Sequence, residues 1–340
     1  MTLPRISVVM GVYNARKTVR AAVDSLLGQT FEDFELIIVD DGSNDGTSEI
    51  LAKAAKEDRR IRIIRQTNAG LTRALSRGCD AATGMYLARQ DADDVSFADR
   101  FRLQVAALES EPSAVLATCW VEDRTSDGVL LDVWREREHT VRLDCGEVRS
   151  TFGIAAHGSV LMRRDVLQAV GGYRNCFYYA QDSDLWLRMA EAGSLCVVPE
   201  VLYRRISGLN CISSRYGSLQ SRFYRLAEEC FRARQAGRDE TPLLEQARQL
   251  SEHSHARRNE PVSRRDRATS LKLLASRLSD RDATGANRYL LAALKTDPLN
   301  LRSWYALCKN NARSVGRRLR PNRHGAADVG SQVSKEGAPA

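Results

Sequence analysis

Within the first ninety residues, short apolar runs alternate with helix-like segments at close spacing, and this alternation limits the fold more than any other feature. Residues 5–13 read as a buried strand. Asn14 can cap a helix whose apolar positions Val19, Val23, Leu26 and Leu27 recur at helical spacing, with Gly28 ending it. Glu35-Leu36-Ile37-Ile38-Val39 reads as a second strand, followed by a helix around 46–56. A third strand at 61–64, a helix near 71–82 and a fourth strand over 85–88 complete the run. Alternation of this kind implies an α/β fold, a mainly parallel sheet with helices on both faces. Ligands of such sheets bind beyond the carboxyl ends of the strands. Polar clusters at those ends are therefore the places to look for chemistry.

After residue 210 strand-like runs vanish. Segments near 216–236, 241–256, 263–279, 283–295 and 298–312 read as helices, and from Arg313 the chain turns basic and then rich in Gly, Ser and Ala. The organisation read from sequence is a first domain over 1–210, an all-α region over 211–312 and a disordered basic tail over 313–340. Residues 283–298 resemble one helical hairpin of a repeat array, but such arrays need three or more copies. The stretch 121–156 carries no readable signal.

Charge follows the same division. The net charge is +8, yet residues 1–210 hold 26 Lys and Arg against 30 Asp and Glu, and the remainder holds 25 against 13. A basic third can meet nucleic acid, anionic lipid or an acidic partner, or be a solvated helical surface. Zinc-finger, RNP-type and Gly-x-x-Gly signatures are not found, so no nucleic acid partner is expected. Peripheral contact with an anionic membrane is an expectation from the charge, and self-association into a homo-oligomer is the other use for the helices. No stretch approaches the ~18 unbroken apolar residues of a membrane span. Arg5 is followed only by Ile6–Met10 before the pattern breaks, too short for a signal core. A cytoplasmic location, with or without attachment to the inner membrane face, is expected. The eight cysteines form no Cys-x-x-Cys pair, and free thiols are expected.

Three clusters carry candidate chemistry. Asp91-Ala92-Asp93-Asp94 follows the fourth strand. Three carboxylates within four residues repel one another unless a cation or hydrogen bonds offset them. Hard oxygen ligands suit Mg²⁺ or Mn²⁺, which bridge to phosphates, although an acidic cluster alone is more often a solvated loop. Val39-Asp40-Asp41-Gly42-Ser43 closes the second strand; an Asp there can bind a base or ribose edge, or simply make a turn. Gln181-Asp182-Ser183-Asp184 opens a helix, where a carboxylate can be an N-cap or a general base. Neither a Gly-x-Gly-x-x-Gly after the first strand nor a P-loop is present.

Seven segments in order resemble glycosyltransferase family 2, which has the GT-A fold. They are Ser7–Asn14, Asp40–Ser43, Asn68–Leu75, Ala88–Asp94, His157–Arg164, Gly171–Arg174 and Gln181–Arg188. The likeness covers about residues 5–207. It implies an inverting glycosyltransferase that uses Mn²⁺ or Mg²⁺ and a nucleotide-sugar donor, a UDP-sugar first, with a glycan or lipid-linked acceptor in cell-surface polysaccharide or glycolipid synthesis. A non-catalytic nucleotide-sugar-binding protein and a nucleotidyltransferase are the alternative readings.

The resemblance also implies roles. Gly11 and Tyr13 lie against the base, Asp41 bonds its edge, and Asp40 supports the loop. Arg73, or Arg77, can take the phosphate contact of the Arg that is common where Leu75 stands. Asp91 and Asp93 match the metal- and ribose-binding carboxylates, with Asp93 the metal ligand proper. Asp182 matches the catalytic base. Arg89, Asp94, His157, Gln181 and Asp184 are supporting or acceptor-side residues, His157 being placed in a strand. Three positions depart from the family pattern: Gln181 replaces a Glu, Leu75 stands where Arg is common, and Ser207 stands where a His is common.

Overall fold

A computed structural model describes residues 3–135, 156–208, 211–256, 263–279 and 282–318. The apolar runs become the strands β1 (Ile6–Val12), β2 (Phe34–Asp40), β3 (Ile61–Arg65) and β4 (Tyr86–Arg89). Helices α1 (Val19–Leu27), α2 (Thr47–Glu57) and α3 (Leu71–Asp80) connect them. The four strands are mutually parallel in the order β3-β2-β1-β4. Their apolar side chains are sealed on both faces, which explains why they read as continuous hydrophobic runs.

The sheet continues with strands that the sequence left less legible. β5 (Val95–Ser96), β6 (Ala114–Thr125), β7 (Leu130–Trp134), β8 (Leu161–Arg163) and β9 (Ser194–Ser207) extend it to nine strands in the order β3-β2-β1-β4-β8-β6-β9-β5, with β7 paired to β6. β8 runs antiparallel to both β4 and β6, while β6 and β9 are parallel. The stretch without a readable signal thus holds the β6–β7 hairpin, turned at Gly128 with φ +86°. Residues 136–155 lie outside the described residues. Helices α4 (Arg100–Ser110), α5 (Arg164–Ala169) and α6 (Gln181–Ala192) fill the connections.

Two local expectations are revised. Asn14 does not cap α1, which starts five residues later after Thr18. Instead Asn14 takes φ +50°, donates its backbone N–H to Ser43 Oγ at 3.0 Å and accepts from Asn44 N at 2.9 Å, tying the loop after β1 to the loop after β2. His157 lies not in a strand but in a single 3-10 turn, His157–Ser159, just before β8.

Beyond the sheet come α7 (Ile212–Gln235), α8 (Thr241–Ala256), α9 (Arg264–Leu278), α10 (Ala283–Thr296) and α11 (Leu301–Arg318). The chain divides into compact units Met1–Arg267 and Ala268–Ala340. Strands stop near residue 207, but the first unit runs on because α7 and α8 pack beneath α6 through Phe177, Tyr179, Leu187, Phe223 and Phe231. In the second unit α10 and α11 form a hairpin, with Asn310 Nδ2 donating to the Ala283 carbonyl at 2.9 Å. Helix α11 extends through residues 313–318, where a tail was expected, and 319–340 lie outside the described residues. Among the described residues no helix is long and apolar enough to cross a membrane.

Candidate active site

The parallel register brings three loops to one edge of the sheet. Val12 pairs with Asp40, Asp41 N bonds Val12 O at 2.8 Å, and Gln90 N bonds Val9 O at 3.2 Å. The segments after β1, β2 and β4, holding Tyr13, Asp41 and Asp91, therefore emerge together at the strands' carboxyl ends. The antiparallel β8 brings His157 to the same edge, since Arg89 N bonds Val160 O at 3.0 Å.

The Asp91–Asp94 turn is held from below by groups the sequence did not single out. Gln90 is fully buried, and its amide donates to the carbonyls of Asp91 and Asp94 at 3.1 and 3.0 Å. Its oxygen accepts from Ser96 Oγ and from Arg100 Nη1. Arg100 also bonds Ser96 Oγ, the carbonyls of Arg89 and Val160, and Gln104 Oε1. A buried guanidinium satisfied in this way fixes backbone, whereas an unsatisfied one would cost several kcal/mol. Tyr203, from β9, donates to Asp94 Oδ2 at 2.8 Å and accepts from Asp91 N at 3.3 Å. Asp94 Oδ1 accepts from Ile206 N at 2.8 Å. Asp94 is therefore the buried clasp between the β4 turn and β9, and burial, with the charges of Asp91 and Asp93, pushes its carboxyl well above the usual range. No feature of the sequence marks Tyr203, which reads as one more aromatic in a strand.

The other two carboxylates face the cleft. Asp91 is half-buried and accepts from Arg89 Nη2 at 2.6 Å, while Arg89 is wholly enclosed and also donates to the Gln90 carbonyl. Burial opposes the charge on Asp91, but Arg89 first, then His157 and Arg205, outweigh it and hold the carboxyl below its ordinary range. Asp93 keeps an open side toward solvent although protein surrounds its base. That crowding, with repulsion from Asp91, pushes it up to about 6. Gly158 sits against this turn, where a Cβ would lie 1.9 Å from Tyr203 Oη and 2.9 Å from Asp91 Oδ2.

Asp182 arrives from another part of the chain. It stands half-buried in the first turn of α6, entered through Ala180 at φ +52°, and accepts from Ser183 N at 2.8 Å. The loop leading to it is latched to α3 by Thr72 Oγ1 donating to Phe177 O at 2.7 Å. His157 and Tyr173 join the two halves. Their side chains hydrogen-bond at 2.7 Å, and both feel the charge of Asp182 and of Asp91. Burial and then Arg89 push His157 down to about 4, so its imidazole is neutral at pH 7. Trp186, one turn beyond Asp182, packs its ring edge-on to His157 at 5.9 Å.

The remaining candidates lie around this centre. Both oxygens of Asp40 are used locally, by Ser43 N and Ser48 Oγ. Asp41 accepts from Gln66 Nε2, Ala69 N and Gly70 N at 2.7–2.9 Å and so orders the 66–70 loop. Asp41→Asn removes the charge and replaces one acceptor oxygen with a donor, leaving at least one of the three donors unmatched, and is expected to cost about 1.5–3 kcal/mol. Urea unfolding of the variant checks this, and an unchanged midpoint would contradict the loop role. Gly11 is packed rather than open, since a Cβ there would meet Leu71 Cδ1 at 2.8 Å. Leu75, fully buried, belongs to the same contact. Tyr13 and Arg73 are exposed, and Arg73 borders a cavity of about 250 Å³ with Tyr178 and His255. Gln181 is buried in the first turn of α6. Asp184 pairs with Arg188 at 2.6 Å and faces Arg174, which in turn binds Glu240 of the loop before α8. Ser207 accepts from Arg205 Nη2, which also holds Asp123.

A nine-stranded mixed sheet with acidic loops gathered at the carboxyl edge of its parallel half is the GT-A frame of nucleotide-sugar transferases. The Glycosyl transferase family 2 model matches residues 7–171. The putative glycosyltransferase EpsE of Bacillus subtilis is 36% identical over 198 residues, 56% of this chain and 68% of that protein. The amylovoran biosynthesis glycosyltransferase AmsE of Erwinia amylovora is 27% identical over 218 residues, 62% and 79% of the two chains. Among solved structures, S. aureus TarS 1–349 in complex with UDP-GlcNAc is similar at a TM-score of 0.56 and 16% identity, covering 95% of each chain. The Pyrobaculum calidifontis mannosyltransferase PcManGT, in complex with GDP-Man and Mn²⁺, is similar at 0.50 and 18% identity, covering 95% of this chain and 89% of that one. This chain belongs to glycosyltransferase family 2.

Proposed function

We propose that the protein is an inverting glycosyltransferase that moves a sugar from a nucleoside-diphosphate sugar, a UDP-sugar first, to a hydroxyl of a growing polysaccharide or lipid-linked glycan at the cytoplasmic face of the membrane. One observation carries this reading: segments from distant parts of the chain meet at the 157–159 turn, where Gly158 lies against Asp91 and the His157 ring bonds Tyr173 at 2.7 Å and packs on Trp186 of the helix that Asp182 opens. Among the described residues Ser183 bonds only Oδ1 of Asp182, and as general base Asp182 takes the acceptor's hydroxyl proton while the hydroxyl oxygen attacks the anomeric carbon and the nucleoside diphosphate leaves. Relatives named for amylovoran synthesis and neighbours holding UDP-GlcNAc or GDP-Man support the donor and the pathway class.

Asp93 and Asp91 are the residues to hold a divalent cation. Among the described residues no three His, Cys, Asp or Glu side chains form a closed cage. Two hard oxygen donors nevertheless fit Mg²⁺ or Mn²⁺, which retain water and bind substrate phosphates. Such an ion supplies neutralising charge to a departing diphosphate. Arg89 already occupies one oxygen of Asp91, which leaves Asp93 the freer ligand. Because Asp93 is pushed up to about 6, protons compete with metal below that pH. Raising the pH from 5 to 7 deprotonates it, so Mn²⁺ affinity should strengthen roughly tenfold over that interval. Titration calorimetry at both pH values checks this, and pH-independent binding would remove Asp93 from the ligand set.

The function is tested by incubating the chain with a panel of nucleotide-sugars and Mn²⁺, following nucleoside-diphosphate release and thermal stabilisation together. Stabilisation and release by the same donor are expected. Stabilisation without release, with acceptor extracts present, would favour a nucleotide-sugar sensor.

A further inference from the structure

The entire net charge of the protein resides in its second unit. Residues 1–267 hold 38 Lys and Arg against 38 Asp and Glu, whereas residues 268–340 hold 13 against 5. Among the described residues of this unit the acidic side chains are Asp282 and Asp297, and both flank α10, with Asp282 capping it through Gly285 N. The described residues of this unit thus carry an excess of positive charge, which includes Lys272 on α9 and Arg302 and Lys309 on α11.

Helix α11 turns Ser303, Leu307 and Asn310 inward. Its opposite side, with the turn before it, exposes large apolar groups: Leu299 is 87% exposed, Leu301 79%, Tyr305 70% and Trp304 48%. Exposed apolar residues scattered singly need no explanation, but four within seven residues do. A groove of about 470 Å³ runs beside them, floored by Ala275 and Leu290 and flanked by Lys272, Arg302 and Lys309. Trp, Tyr and Leu tips bordered by Lys and Arg are what a bilayer surface requires, with rings at headgroup depth and cations at the phosphates.

We propose that this face of α11, with the Lys272 side of α9, docks on an anionic phospholipid bilayer. Charge complementarity selects that occupant. Two copies of the chain would bring like charges together, and a polyanion such as RNA offers no apolar layer for Leu299 and Leu301. The inference goes beyond sugar transfer and does not depend on it, because vesicle binding requires no donor.

The test is co-sedimentation of the full chain with phosphatidylcholine vesicles, with and without about 30% phosphatidylglycerol, at about 0.1 M salt. Sedimentation with the anionic vesicles alone is expected, reversed by high salt. The triple variant Lys272→Glu, Arg302→Glu and Lys309→Glu should lose binding by at least on the order of a hundredfold, at roughly fivefold per surface charge. Trp304→Ala with Tyr305→Ala should lose about tenfold or more. The altered groups are exposed, Lys272 being half-buried at the rim of the groove, and both variants should keep the parent's circular dichroism and nucleoside-diphosphate release. Undiminished binding by either variant would move the contact elsewhere, to residues 319–340 for example, and overturn the assignment. So would failure of the parent to bind, or a vesicle-independent dimer that Tyr305→Ala dissolves.

Discussion

Asp182→Asn is expected to lower the turnover of sugar transfer by roughly 10²–10⁴, the usual worth of a positioned general base. Donor affinity should stay within a few-fold of the parent, because the proposed base serves the acceptor and its hydrogen-bond donor among the described residues is its own neighbour Ser183. The substitution is nearly isosteric and keeps the N-terminal turn of α6 intact. The pattern therefore separates a base from a structural residue: turnover falls, donor binding measured by calorimetry does not, and the unfolding midpoint barely moves. Asp93→Asn gives the complementary pattern, weakening Mn²⁺-dependent donor binding as well as transfer. If Asp182→Asn transfers sugar at close to the parental rate, the base is another group.

Gly158→Ala should be nearly as damaging, by a different route. The added methyl would stand 1.9 Å from Tyr203 Oη, so either the 157–159 turn or the tyrosine must move. That hydroxyl holds Asp94 and the Asp91 amide, so its displacement loosens the turn that presents Asp91 and Asp93. Overpacking of this kind typically costs about 1–3 kcal/mol. A displaced buried hydrogen-bond donor adds a comparable amount. We expect a clear loss of thermal stability together with a fall in transfer of at least roughly tenfold, since misplacing catalytic groups by an ångström is costly. Tyr203→Phe removes the hydroxyl without adding bulk and should reproduce part of both losses. A Gly158→Ala protein with parental stability and Mn²⁺ affinity would show that the turn is not held in this way.

These two cases illustrate what the sequence disclosed. Asp91, Asp93 and Asp182 stand out as candidates because carboxylates at strand and helix ends are costly unless offset, and because the order of motifs resembles one family. Gly158 was legible as part of a motif, but not as a steric necessity, since the group it accommodates is Tyr203 from another strand. Asp94 shows the same limit: its partner Ile206 lies 112 positions along the chain. Asp41 reads as a candidate ligand for a base, and what the sequence does not disclose is that Gln66, Ala69 and Gly70 also donate to its oxygens, a fact fixed by where the chain returns before α3. Arg100 belongs to no motif in the sequence and proves to be fully buried beneath the cleft. The parallel half of the sheet was legible because both faces are apolar. The second half was not, because β8 runs antiparallel to both of its neighbours, β9 joins the sheet beside β6 from about 70 positions further along the chain, and the β6–β7 hairpin carries weak alternation.

The most direct test of the central claim is a crystal structure of the protein with Mn²⁺ and an intact UDP-sugar or a non-hydrolysable analogue, the metal located by its anomalous scattering. The account predicts one manganese peak within coordination distance of Asp93, bridged to the diphosphate, with the Asp182 carboxylate facing the anomeric carbon from the side opposite the leaving group. A manganese bound away from Asp91 and Asp93, or a sugar whose anomeric carbon Asp182 cannot approach, would contradict it.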